Sequence, residues 1–337
     1  MPAADVSNRR RVVGRITFLV VTLIAFYFVL PGLLATFDAV PRLRDVYPAW
    51  FVVVAVLEGA SFVAVWEVQR IALGADGMFD VAASHTAGNA VSRALPGGVA
   101  TGGAVQLRML HRAGFDVPTA TTALTAAGLL ATAMLFALPV LALPAIFAGT
   151  GIDAHLLQGA VVAVILFVVL CLFSAWLIRS DRGVAALGRG IGRLGRLLRI
   201  KTGTDLGDRV VTARNEVRAG LRDSWRRAVP AAAANRLLDF LALEAAVLAV
   251  GGEIDPLLVL LAYVAAGTLS MIPITPGGLG FVEAGLAGVL TIAGLSPDQA
   301  VLATLLYRLF SYWLPLPAGL VASVWFNRRH PLARPAR

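Results

Sequence analysis

Arg308 lies roughly ten residues into the last long apolar stretch of the chain, about 15 Å along a helix at 1.5 Å per residue. That depth is near the middle of a bilayer, where an arginine costs at least about 2.5 kcal/mol to insert and needs an acidic partner, carbonyls or water. Its forked guanidinium donors match phosphate oxygens; the same group also serves as half of a structural ion pair. Glu283 follows Pro276-Gly277-Gly278-Leu279-Gly280 by a few residues, at the start of a helix that resumes after a break. A carboxylate is favoured there because the first backbone N–H groups lack intrahelical partners. It is suited to pairing with Arg308, binding a lipid amine or carrying a proton, and equally to capping its own helix. The N–H groups of Gly277, Gly278 and Gly280 fit a phosphate, as at other helix N-termini, and glycine also serves close helix packing.

A second polar set precedes an earlier break. His85, Asn89 and Arg93 recur one helical turn apart before Leu95-Pro96-Gly97-Gly98. They read as cavity lining, or as a shallow segment whose arginine reaches water. Tyr307 adjoins Arg308. Arg236 and Asp239, three apart, are spaced for a local ion pair. Glu58 and Glu244 are deep acids, read as sites of proton or ion coupling. His85, His111, His155 and His330 have no ligand spacing, and Cys171 is the sole cysteine, so neither a metal nor a disulfide framework is expected. Gly-x-x-x-x-Gly-Lys and His-Glu-x-x-His are absent, and no cofactor is expected.

These residues need positioning elements. The 337 residues are 58% hydrophobic and 15% charged, with mean hydropathy +0.79, which implies an all-α polytopic membrane protein. The net charge of +9 sits in loops and tails beside apolar stretches, where it meets anionic lipid headgroups rather than nucleic acid. Continuous spans are predicted at Ile16–Phe37, Trp50–Glu67, Thr119–Phe147, Leu156–Ile178, Ala231–Val250 and Asp298–Phe326. The first is read as a retained span rather than a cleaved signal.

Two stretches, Val81–Leu110 and Pro256–Gly294, are too long for one span and too glycine-rich for two good ones. Proline removes a donor and glycine weakens a helix, so each is expected to break. Freed backbone groups survive in a membrane only when buried or facing a watery cavity. The simplest reading is six full spans and two re-entrant hairpins. Basic groups at the N-terminus, Arg70, Arg108–Arg112, Arg179–Arg227 and the C-terminus then all fall on one side, the cytoplasmic one. The protein is thus expected in the inner (plasma) membrane, multi-pass, with both termini cytoplasmic. Breaks, second spans and following spans recur roughly 180 residues apart, as in an inverted repeat. The halves are 1–148 and 156–326 of a single transmembrane domain, 1–337. The basic loop 179–228 is inserted in the second half. Within it Leu187, Ile191, Leu194 and Leu198 recur at helical spacing between arginines, which fits an amphipathic helix on the inner leaflet or a solvated linker.

The run Ile272-Pro273-Ile274-Thr275-Pro276-Gly277-Gly278-Leu279-Gly280-Phe281-Val282-Glu283-Ala284, with Leu306-Tyr307-Arg308-Leu309-Phe310-Ser311-Tyr312-Trp313-Leu314-Pro315, resembles the bacterial lysylphosphatidylglycerol synthase/flippase transmembrane-region family. There a Pro-Gly-Gly-x-Gly-x-x-Glu segment precedes a span with a Tyr-Arg pair. Leu95-Pro96, Gly102-Gly103 and Arg108 fit its earlier motif loosely. The resemblance implies a flippase-like module that moves a phosphate-headgroup lipid between leaflets. The expected partners are membrane lipids: anionic or aminoacylated phospholipid, or polyprenyl-phosphate lipid. The sequence leaves room for a homo-oligomer. Because the chain ends at Arg337, the soluble transferase domain of some members is expected to be absent. Members often carry a first-half arginine that matches Arg308 by repeat symmetry; this chain has Ala126-Ala127-Gly128-Leu129 there. Two rival readings are an intramembrane enzyme acting on polyprenyl-phosphate or phospholipid, and a membrane scaffold or regulator.

Overall fold

The computed structural model describes residues 40–95, 98–139, 165, 168, 224–271 and 278–331, and every regular element among them is helical. The predicted spans at 16–37 and 156–178 and the basic loop to residue 223 lie outside these residues, apart from the helical positions Ile165 and Val168. After a 3₁₀ turn (Val40–Asp45) come α1 (Pro48–Leu73), α2 (Phe79–Ala94), α3 (Gly98–Arg112) and α4 (Val117–Ala137). The second half supplies α5 (Trp225–Ala249), α6 (Pro256–Leu269), α7 (Phe281–Ile292) and α8 (Pro297–Arg329). Three of these, α1, α4 and α8, are long and apolar enough to cross a membrane.

The boundaries follow local chemistry. Proline opens α1, α4, α6 and α8, where its missing N–H costs nothing. Asp116, Asp255 and Ser296 accept a backbone N–H of the first turn. Gly74 closes α1 in the left-handed conformation, φ 62°. The two proline-glycine stretches break as their composition requires: α2 and α3 part at Leu95–Gly98, and α6 and α7 part between Leu269 and Phe281.

α1 and α5 cross at the centre. Asn235 Nδ2 donates to the Ser61 hydroxyl (2.8 Å) and carbonyl (3.0 Å), and the Ser61 hydroxyl donates to the Asn235 carbonyl (3.1 Å). Val54, Ala242, Ala245 and Ala246 continue this seam. The main core joins α4, α5, α6, α7 and α8 through Leu135, Leu243, Val259, Leu286, Leu290 and Ala303, all buried.

The ends of α8 tie down the two broken segments separately. At its C-terminal end, His330 Nε2 lies 2.9 Å from Asp80 Oδ1, Arg112 Nη1 donates to Asn327 Oδ1 (2.8 Å), and Arg112 Nη2 donates to the His330 carbonyl. The start of α2 and the end of α3 therefore meet the same end of α8. At its other end, Gln299 Nε2 donates to the carbonyls of Val250 and Gly251, both at 3.2 Å, just before α6 begins.

Candidate functional site

α8 is not a regular helix throughout. Directly after Arg308 it widens into a π turn over Leu309–Trp313, where the Leu314 N–H donates to the Leu309 carbonyl at 2.9 Å. Such widenings re-aim side chains and concentrate at functional sites. Pro315, four residues after Ser311, has no N–H to give the Ser311 carbonyl. That carbonyl instead accepts from Arg93 Nη1 at the end of α2. The proline in one half thus leaves an acceptor that an arginine of the other half fills.

Arg93 is oriented by its own helix, its Nε donating to Asn89 Oδ1 at 2.5 Å. Its guanidinium carbon lies 5.1 Å from the centre of the Tyr312 ring, and that of Arg308 lies 4.4 Å from the same centre. The Tyr312 hydroxyl donates to the Arg93 carbonyl at 3.1 Å. Two like charges gathered on one aromatic ring gain from its negative face, by about 0.5–2 kcal/mol per contact. They also form a doubly cationic patch suited to an anion with several oxygens.

Arg308 is buried, 8% exposed, and its partner Glu283 is 7% exposed. Arg308 Nε donates to Glu283 Oε1 at 2.7 Å, while Nη2 approaches the same oxygen at 2.6 Å at an angle too poor for a hydrogen bond. Glu283 Oε2 accepts the Gly280 N–H at 2.7 Å. Two of the four roles open to Glu283 from sequence, helix cap and ion-pair partner, are therefore filled together. The Gly280 N–H, expected from sequence to suit a phosphate, is taken here by its own Glu283. Gly278 and Gly280 hold φ of 73° and 77°, which any other residue adopts at a cost. Gly277 lies outside the described residues.

Tyr307 faces away from Arg308 and toward α5. Its hydroxyl donates to Asp239 Oδ1 at 2.7 Å, and Tyr263 donates to Asp239 Oδ2, also at 2.7 Å. Arg236 stands 3.9 Å from Asp239 and donates from Nε to the Ala131 carbonyl at 3.0 Å, so the expected local pair is loose. Glu58, 4% exposed, lies beside Asp239, and its Oε1 has no hydrogen-bond partner among the described residues. Glu244 lies farther along α5, toward Asp255, and does not join this group. His85 is drawn into a separate, half-buried chain, with Gln69 Nε2 at 2.9 Å from its Nδ1 and Gln106 Nε2 donating to Gln69 Oε1 at 2.8 Å.

A groove of about 490 Å³ runs between α1, α2 and α8, with walls that include Phe62, Phe79, Leu314, Val321 and Trp325. Glu58 is the charged residue in its wall. Sequence reasoning missed Tyr312, although it stands one turn after Arg308 on the same face, and it missed that Asp239 is held by two phenols from other helices. The site therefore gathers Arg93, Arg308, Glu283, Asn89 and Tyr312 at one point, with Glu58, Asp239, Tyr263 and Tyr307 in an adjoining acidic cluster.

Residues 16–319 match the family described as the lysylphosphatidylglycerol synthase TM region. A UPF0104 membrane protein of Methanothermobacter thermautotrophicus is 27% identical over 176 residues, covering 50% of this chain and 52% of that protein. A UPF0104 membrane protein of Pyrococcus horikoshii is 38% identical over 72 residues, 21% of this chain and 22% of the relative. At its widest, the match spans about half the length of these curated relatives.

Proposed function

The chain belongs to the lysylphosphatidylglycerol synthase transmembrane-region family, and from that premise we propose that it is a flippase-like transporter moving a phosphate-headgroup lipid between the leaflets of the cell membrane. The observation that carries this reading is the meeting of Arg93, at the first break, and Arg308, on the last helix, over the ring of Tyr312. A headgroup phosphate binds between these guanidiniums and competes with Glu283 for the Arg308 donors. The acyl chain lies in the apolar groove between α1, α2 and α8. Anionic or aminoacylated phospholipid and polyprenyl-phosphate lipid share the phosphate that this patch recognises. Access alternates as one repeat rocks against the other.

The proposed topology has six full spans, two opposed re-entrant hairpins and both termini in the cytoplasm. The attachment of Asp80 and Arg112 to one end of α8 supports it. Cysteine labelling in a variant lacking Cys171 tests it. Labels at Asp80 and Arg112 should react from the cytoplasm, and labels at Asp255 and Ser296 from outside. A split within either pair would overturn the topology.

A headgroup-exposure assay in proteoliposomes tests the transport role. Arg308→Ala abolishes exposure while the protein still inserts and folds. Arg308→Lys restores only part of it, because an ammonium keeps the charge and loses the fork. The close Arg308–Glu283 contact favours a second reading, a structural latch between α7 and α8. Under that reading Arg308→Ala fails to accumulate and Arg308→Ala/Glu283→Ala recovers. Full exposure by folded Arg308→Ala removes the phosphate clamp.

A further inference from the structure

The acidic cluster beside the arginine patch has a geometry of its own. Asn235 on α5 faces Ser61 on α1. The two helices run in opposite directions there, so one turn back along α1 and one turn on along α5 brings Glu58 opposite Asp239. The two carboxyl groups lie close enough to act on each other electrostatically. They come from helices roughly 180 residues apart, the offset that relates the two proline-glycine breaks.

Two ionised carboxylates are both acceptors and cannot bond to each other; a proton on one makes the contact a hydrogen bond. The oxygens of Asp239 are not equivalent to those of Glu58. Each Asp239 oxygen already accepts a phenol O–H, from Tyr307 and from Tyr263. Arg236 stands 3.9 Å away. Asp239 is thus already furnished with donors on both oxygens. Glu58 is 4% exposed, and its Oε1 has no partner among the described residues. Among the described residues, Arg93 from α2 and Arg308 from α8 also act on Glu58, with Glu283 from α7 paired to Arg308 and Tyr312 of α8 against both guanidiniums. α4 contributes the Ala131 carbonyl, which Arg236 occupies.

Resting on the transport reading above, we propose that Glu58 is the proton-carrying residue of this protein, with Asp239 as its fixed acceptor, and that one proton crosses with each lipid. The link between the sites is electrostatic. Arg93 and Arg308 are positive charges whose fields reach Glu58. A phosphate seated on them cancels that charge, and the Glu58 carboxylate loses its support and takes up a proton. Lipid anion and proton therefore load together, and leave together when access switches. Only an O–H bond forms and breaks: water on the loading side supplies the proton, Glu58 donates it toward Asp239 while loaded, and water on the far side receives it.

Two measurements on the full chain test this. In proteoliposomes containing phosphatidylglycerol, with the membrane potential clamped, the ratio of headgroup-exposure rates with and without an imposed one-unit pH gradient is read. One proton per lipid permits a bias of up to about tenfold. A ratio clearly above one in the wild type that falls to one in Glu58→Gln and in Asp239→Asn supports the proposal. A ratio of one in the wild type, persistence of the response in both variants, or a response to a sodium gradient in place of a pH gradient overturns it while leaving the phosphate clamp standing. The second measurement does not require transport. Infrared titration should reveal a protonated-carboxyl band that vanishes in Glu58→Gln, shifts in Asp239→Asn and strengthens when phosphatidylglycerol is added. Were wild-type transport absent, the flippase reading would fall. This band, absent or unmoved by Glu58→Gln, would independently refute a proton on Glu58.

Discussion

The two proline-glycine breaks share a motif and are anchored in opposite ways. At the first, backbone meets backbone. A methyl on Gly102 would stand 2.3 Å from the Gly88 carbonyl oxygen, and one on Gly319 would stand 2.3 Å from Ala90 Cβ. A chain of Gln69, His85 and Gln106 adds directional bonds. At the second, α6 and α7 are joined by apolar volume: Val259, Leu286 and Leu290 are fully buried, and a methyl on Gly285 would meet only the tip of Leu269 at 3.0 Å. The first break delivers a cation, Arg93, and the second an anion, Glu283. A repeated break therefore fixes where a helix ends, while the residues beside it decide what chemistry and what stiffness each half contributes.

The largest expected effect breaks the charge side of this contrast. Glu283→Ala strands a buried guanidinium and should cost about 3–5 kcal/mol of stability, read as loss of detergent-resistant folded protein. Adding Arg308→Ala should recover most of that loss. If the double variant is no better than the single, Glu283 acts through its cap to Gly280 instead.

Next is the packing side. Gly102→Ala forces α2 and α3 apart and should cost about 1–3 kcal/mol. Thermal unfolding followed by size-exclusion fluorescence measures it; a midpoint like that of the wild type would mean the helices are free to separate. A smaller effect sharpens the role of the shared ring. Tyr312→Phe keeps both cation contacts and loses one hydrogen bond, about 0.5–1.5 kcal/mol, and transport should survive. Tyr312→Leu removes the ring and should impair lipid exposure far more than it lowers stability. Equal losses in the two variants would shift the role from the ring to the hydroxyl. The smallest effect is at Gly288, where nothing lies within 4 Å of an added methyl. Gly288→Ala should change stability by no more than about 0.5 kcal/mol. A cost matching that of Gly102→Ala would erase the difference between the two breaks.

Much of this was legible in the chain. Pro96, Pro276 and their glycines mark helix ends through backbone chemistry that acts on neighbouring residues, and the breaks fall there. Glu283 and Arg308 were visible as deep charges that require partners, and they partner each other. The resemblance carried by the Pro-Gly-Gly-x-Gly-x-x-Glu and Tyr-Arg runs led to the family that the comparisons bear out. Other residues were harder to read. Asn89 and Arg93 formed a plausible polar face, but nothing local announced that Arg93 reaches the Ser311 carbonyl, more than two hundred residues on, while Asn89 orients it. Tyr307 was grouped with Arg308 by adjacency, yet successive helical residues point about 100° apart, and its hydroxyl serves Asp239 instead.

The sequence by itself determined the properties that depend on composition and near neighbours: an all-helical membrane protein, its helix starts and breaks, its family, and the charges too deep to stand alone. Only the tertiary structure decided which of those charges meet. It brought α2 against the π turn of α8, so that Arg93 answers a carbonyl left open by Pro315, and it crossed α1 over α5, so that Glu58 faces Asp239. The physical reason is range. Helix capping and breaking act over a few residues, whereas an ion pair or a shared ring depends on a helix crossing whose register is set by many small packing contacts at once.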